Sequence, residues 1–322
     1  MNPLISIIIP TFNRAEMLSD VLDSIYKQTY ANWECLVVDD GSGDTSKKVV
    51  AQWIKKDARF QWHERPSTSQ KGANACRNFG FEQSKGAYIN WFDSDDLMLP
   101  LKLAQQVAQL TESNYFYSIC QTERYDAVQQ KSFGLRAEAI TSKDPLNDYV
   151  QFSIFWTTGA ALWKKSFIQE HNLRWDEDLQ QSQDYDFHIR ALAISTAYGT
   201  IDTALMQLLR HEQNMSNAVL DAPDKILSNV KARYKALKFQ QDVLTIVSKR
   251  ELFNKMYYFF RTTSIARNIH TSNQIFSLLK QSKTHIVGAV SLEKGIFNRW
   301  KFGMYLYAFT GKGERFLKPN KE

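Results

Sequence analysis

The sequence predicts an α/β fold, a doubly wound, largely parallel sheet with helices on both faces, plus a basic helical C-terminal extension. Two observations carry this. Apolar runs of strand length alternate four times with segments of helical periodicity, the pattern of strand-helix-strand units. The charge is also split: residues 1–222 carry 21 Lys and Arg against 28 Asp and Glu, a net −7, and residues 223–322 carry 19 against 6, a net +13. The chain is therefore read as a domain of residues 1–222 and an extension of residues 223–322 that expects an anionic partner.

With 322 residues, 43% of them hydrophobic, the chain has material for one large domain and an appendage. Its longest uncharged run, Tyr149 to Trp163, falls short of the roughly 20 apolar residues a bilayer span needs, and no signal layout opens the sequence. The expectation is a cytoplasmic protein. Cys35, Cys76 and Cys120 lie far apart, as reduced, packed thiols do.

Taken in order, Leu4 to Ile9 reads as a strand buried on both faces, stopped at Pro10. The pairs Met17/Leu18, Val21/Leu22 and Ile25/Tyr26 give a helix with one packed stripe. "ECLVVDDGSGDTS" repeats the plan: a strand ending at Val38, two acids, a Gly-rich turn, then a helix capped by Asp44 or Thr45. A short strand near Phe60 to His63 and a helix after Gly72 follow. No G-x-G-x-x-G follows a strand, and "GSGDTSKK" lacks P-loop spacing, which argues against nicotinamide enzymes and P-loop ATPases.

"GAYINWFDSDDLMLP" then breaks a buried strand into three acids, Asp93, Asp95 and Asp96. Carboxylates this close repel unless a cation screens them; the structural alternative is a solvated turn capping the helix at Pro100. "LKLAQQVAQL" reads as a helix, "YFYSIC" as a strand, and Gln121 to Asp148 as a loop-rich, acceptor-facing stretch. "FWTTGAALWKKSFI" reads as a strand entering a helix. In "SQDYDFHIRAL", Asp184 opens a helix anchored by Phe187, Ile189 or Arg190, and Leu192.

"SIIIPTFNR", "CLVVDDGSGDTS", "KGANACRNFG", "GAYINWFDSDDLMLP" and "SQDYDFHIR", in this order and spacing, resemble the family 2 glycosyltransferases of GT-A fold, over roughly residues 4 to 215. The resemblance implies a nucleotide-sugar donor, a UDP-sugar by the uracil-binding role of Asp40. It also implies a divalent metal, Mg2+ or Mn2+, and inversion at the anomeric carbon. It places Pro10, Thr11 and Asn13 beside the nucleoside, with Asp39 bracing the loop next to Asp40. Arg77 and Asn78 would contact donor phosphate and ribose, and Lys71 and Gly72 an anion. Asp93 would face ribose or metal, Asp95 would ligate the metal, and Asp96 would stand behind them or cap a helix. Thr157 to Gly159 would lie near the catalytic centre, with Trp156 either a sugar platform or core. Asp184 would be the catalytic base, with Asp186 its rival, and His211, followed by Ser216, would reach the metal or diphosphate. The acceptor would be a glycan or lipid-linked glycan of a cell-surface polysaccharide. A nucleotidyltransferase or a non-catalytic sugar-nucleotide sensor is the alternative; "PTFNRAEM" lacks the triphosphate loop of the first, and the second has no use for Asp184.

Beyond residue 222, cations interleave with aromatics over long helical periods. This predicts docking on an anionic membrane surface at its cytoplasmic face, with Tyr257, Tyr258, Phe297, Trp300 and Tyr305 as interfacial aromatics. Nucleic-acid binding and homo-oligomer formation rank below it.

Overall fold

The computed structural model describes residues 2–127, 129–209 and 222–319. Within them the chain forms two compact units.

The first unit opens with β1 (Ile5–Thr11), α1 (Ala15–Tyr26), β2 (Trp33–Asp39), α2 (Ser46–Lys56), β3 (Phe60–Glu64), α3 (Ala73–Gln83) and β4 (Tyr88–Trp91). It continues with β5 (Asp96–Met98), α4 (Lys102–Thr111), β6 (Tyr117–Asp126) and β7 (Lys131–Leu135); α5 (Pro145–Val150) begins at its border. β8 (Ala161–Lys164), α6 (Lys165–Glu170) and β9 (Tyr198–Leu209) complete it. Every residue of β1 and β2 is buried, as continuous apolar runs in interior parallel strands require. Helix α3 lies close on them: a Cβ on Gly80 would stand 2.4 Å from Ile8 Cγ2.

The strand order is β3-β2-β1-β4-β8-β6-β9-β5, with β7 beside β6. Strands β3, β2, β1 and β4 are parallel, as expected. The remainder is mixed rather than largely parallel: β4 with β8, β8 with β6, β6 with β7 and β9 with β5 are antiparallel, and only β6 with β9 is parallel. From β1 the chain first builds outward to β2 and β3 and then crosses to β4 on the other side. The sheet therefore has a topological switch point between β1 and β4, where α/β sheets open a ligand crevice at their C-terminal edge.

Three local expectations change. The stretch from Gln121 continues β6 and turns back through β7 as a hairpin, so it is not loop-rich throughout. Asp96 starts β5, pairing with Leu208, instead of capping a helix. Thr45 makes no side-chain cap; Asp44 accepts from the N–H of Ser46 (2.9 Å) and of Ala15 (3.0 Å), joining the starts of α2 and α1.

The second unit is helical. It holds residues 146–151, α7 (Gln183–Ile194) apart from its last residue, α8 (Pro223–Phe239), α9 (Ile246–Ile265), α10 (Ile269–Gln281) and α11 (Ile296–Thr310). Residue 222 thus marks the start of a helical array whose compact unit also includes the earlier segments. Its core takes in two of the five expected interfacial aromatics, Tyr257 and Trp300. Trp300 is 1% exposed, lies 4.6 Å from the Tyr257 ring and 5.4 Å from Phe297, and donates from Nε1 to the Lys318 carbonyl. Tyr305 donates to Asn273 Oδ1; of the five aromatics only Tyr258 is exposed. The helical period turns Tyr257 and Trp300 inward, where burial of their large apolar area stabilises the bundle. Among the described residues no helix is long and apolar enough to cross a membrane.

Candidate active site

The register sets Thr11 beside Asp39 and Ile8 beside Trp91, so the C-terminal ends of β2, β1 and β4 emerge side by side at the switch point. Pro10 and Thr11 are buried within β1. The loop that follows is locked to the one after β2: Asn13, at φ 52°, donates its N–H to Ser42 Oγ (2.9 Å), while its Oδ1 accepts from Gly43 N–H (2.8 Å). Asp39 accepts from the N–H groups of Gly41 and Ser42 and from Ser42 Oγ. The polar contacts of Asp39 and of the Asn13 oxygen are thus spent on shaping the two loops.

Asp40 is presented differently. Its Oδ1 accepts from Arg65 Nε (2.6 Å) and from Gly72 N–H (3.1 Å), and no described hydrogen bond uses its Oδ2. Arg65 is itself fixed by the carbonyls of Pro66 and Ser69. Gly72 sits at φ 139°, a conformation that suits glycine, and this aims its N–H at Asp40. Beside it the Lys71 ammonium lies 4.4 Å above the ring of Phe12, which is 43% exposed. Arg65 and Phe12 were not singled out from sequence; an aromatic directly after an interior strand was the available signal for Phe12.

The three acids after β4 separate by environment. Asp93, partly exposed, receives a 2.7 Å hydrogen bond from Arg77 Nη2. Asp95, also partly exposed, has Arg14 at 3.6 Å. Asp96 is buried; desolvation first, then the charges of Asp95 and Asp93, push its carboxyl well above the usual range. Arg77 and Asn78, expected at the donor phosphate and ribose, both also have partners within the protein. Arg77 is 5% exposed, stacks 4.6 Å from Trp175 and donates to Asn74 Oδ1; a buried guanidinium needs these partners to offset its desolvation. Asn78 donates both amide hydrogens, to the Trp175 carbonyl and Glu177 Oε1, and accepts from Trp175 N–H. Trp156 is 1% exposed against Tyr198 and is core.

Among the described residues no three metal-ligating side chains converge. His211 and Ser216 lie outside the described residues. Asp93 and Asp95 nonetheless supply hard oxygen donors two residues apart after β4, and their charges also bear on the buried Asp96. The donor set therefore fits Mg2+ or Mn2+.

In the second unit, Asp184 stands in the first turn of α7, its Oδ1 accepting from Tyr185 N–H (2.8 Å). The turn before it is pinned to α8: Gln181 N–H donates to Ser228 Oγ, and Ser182 Oγ to Asn229 Oδ1. Asp186 is buried and gripped by Arg190 Nε and Nη2, a structural ion pair.

The description "Glycosyl transferase family 2" belongs to the family model that matches residues 6–169. An uncharacterised glycosyltransferase of Rickettsia typhi is 26% identical over 265 residues, 81% of this chain and 80% of that protein. The UDP-Glc:alpha-D-GlcNAc-diphosphoundecaprenol beta-1,3-glucosyltransferase WfgD of Escherichia coli is 35% identical over 111 residues, 34% of this chain and 42% of that enzyme, so the match spans less than half of it. Staphylococcus aureus TarS 1–349 bound to UDP-GlcNAc shares the fold with TM-score 0.59 at 15% identity, covering 92% of this chain and 91% of that one. The mannosyltransferase PcManGT of Pyrobaculum calidifontis, in complex with GDP-Man and Mn2+, gives 0.56 at 16% identity over 98% and 85%.

Proposed function

This chain belongs to glycosyltransferase family 2, and from that premise we propose that it is an inverting, metal-dependent enzyme moving a sugar from a UDP-sugar to a hydroxyl of a glycan or lipid-linked acceptor. The observation that carries the reading is that Asp40 follows β2, Lys71 follows β3, and Asp93 and Asp95 follow β4, all at the C-terminal edge of the sheet beside its switch point, in the fold of nucleotide-sugar enzymes.

Asp40 Oδ2 accepts the imide hydrogen of uracil, its other oxygen held by Arg65 and Gly72. Phe12 offers a face to the base, and Lys71 a cation to the diphosphate. WfgD and TarS support a uridine donor by name, whereas PcManGT was solved with GDP-Man, so the choice of uridine rests on Asp40. Asp93 and Asp95 would hold Mg2+ or Mn2+, which offsets charge developing on the departing nucleoside diphosphate. Arg77 holds Asp93 in place. Asp184 is the base: it takes the proton of the acceptor hydroxyl as that oxygen attacks the anomeric carbon from the side opposite the leaving phosphate, which inverts the centre. Asp186, already paired with Arg190, is unsuited to it. WfgD's name supports a diphospholipid-linked acceptor, and with it work at the cytoplasmic face of a membrane by peripheral attachment through the basic residues 223–322.

Incubation with Mn2+ and a panel of nucleotide sugars tests the reading: the UDP-sugar that fits should be slowly hydrolysed to UDP. Pyrophosphate released from a nucleoside triphosphate and a sugar phosphate would make the protein a nucleotidyltransferase instead.

A further inference from the structure

Of the large apolar side chains exposed on the helical unit, Tyr258 lies on α9 and Phe302 and Phe309 on α11, while five others lie in or beside two connecting segments. Phe239, Val243, Ile246 and Val247 are 62%, 49%, 54% and 51% exposed in and around the turn joining α8 to α9. Val287, 79% exposed, lies in the loop after α10. Two hydrogen bonds fasten this loop to the turn and the start of α9: His285 Nδ1 with Gln241 Oε1 at 3.0 Å, and Arg250 Nε to the Ala289 carbonyl at 3.0 Å. The five side chains therefore share one end of the unit.

This end is built rigidly. Leu244 is buried beneath it, Thr245 N–H donates to Asn147 Oδ1 (2.8 Å), and Thr245 Oγ1 accepts from Ser248 N–H, capping α9. A water-facing turn gains nothing from holding four large apolar side chains outward, because each forfeits the stabilisation of burial. Around them stand Lys238, Lys249, Arg250 and Lys283, against Asp242 and Glu251. The Lys238 ammonium lies 5.0 Å above the Phe239 ring. Apolar tips inside a cationic fringe match a bilayer interface, with acyl chains for the tips and anionic headgroups for the fringe.

We propose that this end of the helical unit, the α8–α9 turn with the loop after α10, is the surface that inserts into an anionic lipid bilayer. The proposal rests on the reading that the enzyme works at a membrane, and it names a different contact from the aromatics that the sequence suggested.

Flotation of the full chain with phosphatidylcholine vesicles, with and without phosphatidylglycerol, tests it. The parent should float with the acidic vesicles. I246E/V247E should reduce the bound fraction at least about tenfold, and K238E/K283E should lose most of the preference for acidic lipid. Both should keep the parent's circular dichroism and its UDP-sugar hydrolysis in solution. A V247W variant should gain fluorescence quenching by brominated acyl chains. If I246E/V247E floats like the parent, the inference is overturned while membrane attachment stands. If the parent fails to float at all, both are overturned. If the parent sediments as an oligomer that I246E/V247E reduces to a monomer, with no lipid binding in either, the surface is an assembly contact and the inference is wrong.

Discussion

Arg77 and Asp93 form a 2.7 Å ion pair in which the cation is buried and the carboxylate partly exposed, so a residue of α3 fixes an acid offered at the end of β4. The fork matters as well as the charge, since the second Nη of Arg77 is spent on Asn74 and its plane on Trp175. Arg77→Lys keeps the charge and loses the fork. Titration of UDP with Mn2+ should show affinity weakened about tenfold or more, with a fall in stability of about 1–3 kcal/mol from unmade buried hydrogen bonds. Binding equal to the parent's would mean that Asp93 needs no such positioning.

Asp95 and Asp184 should fail in different ways. Asp95→Ala removes the proposed metal ligand and should weaken Mn2+-dependent UDP binding together with turnover. Asp184→Asn should leave that binding near the parent's and cut turnover by about 10²-fold or more, the scale of general-base catalysis. Calorimetry and initial rates on both variants separate the roles; equal losses of binding would refute the division.

Asp40→Asn replaces an acceptor-only carboxylate with an amide that can be turned to donate. The Arg65 partner loses its counter-charge, and the proposed contact to uracil loses its acceptor. UDP affinity should fall by about 1–3 kcal/mol, and discrimination between UDP- and GDP-sugars should narrow in competition assays.

The parallel half of the fold was legible because β1 and β2 are buried at every residue, and an unbroken apolar run reports that directly. The antiparallel half was not: β8 pairs with β4 and β6, partners that tertiary packing chooses and no local period encodes. The acids of the site stood out as a cluster, yet only the fold separates a buried Asp96, its carboxyl pushed upward mainly by desolvation, from its two partly exposed neighbours. Arg65 was invisible because a lone cation in a polar loop carries no periodicity; its meaning comes from Asp40, 25 residues away. Trp300 and Tyr257 misled because an aromatic, cationic helix has one composition whether its rings face lipid or a neighbouring helix.

Lys102 provides a prediction independent of the chemistry. Its side chain is fully buried at the start of α4, with Gln106 Oε1 at 2.8 Å as its acceptor, while Gln106 in turn donates to the carbonyls of Ser118 and Ala160. Burial lowers its pKa from the ordinary 10.5 to about 8, a pull that Cys120 only partly offsets. The sign follows from proton counting. Between about pH 8 and 10.5 the unfolded chain holds a proton on Lys102 that the folded chain has released, so this residue makes stability rise with pH across that window and carries its full penalty below it. At about 1.4 kcal/mol per pH unit the difference is about 3 kcal/mol. Cys35 and Cys76, whose thiols burial pushes upward, act in the opposite direction above about pH 9, so the total curve does not isolate Lys102. The difference between the parent and Lys102→Met does. Urea unfolding of both at about pH 7.5 and pH 9.5 should show the parent gaining on the variant by about 2 kcal/mol as the pH rises. A constant difference would mean that Lys102 keeps its proton in the folded protein, hydrated or paired by some group other than Gln106.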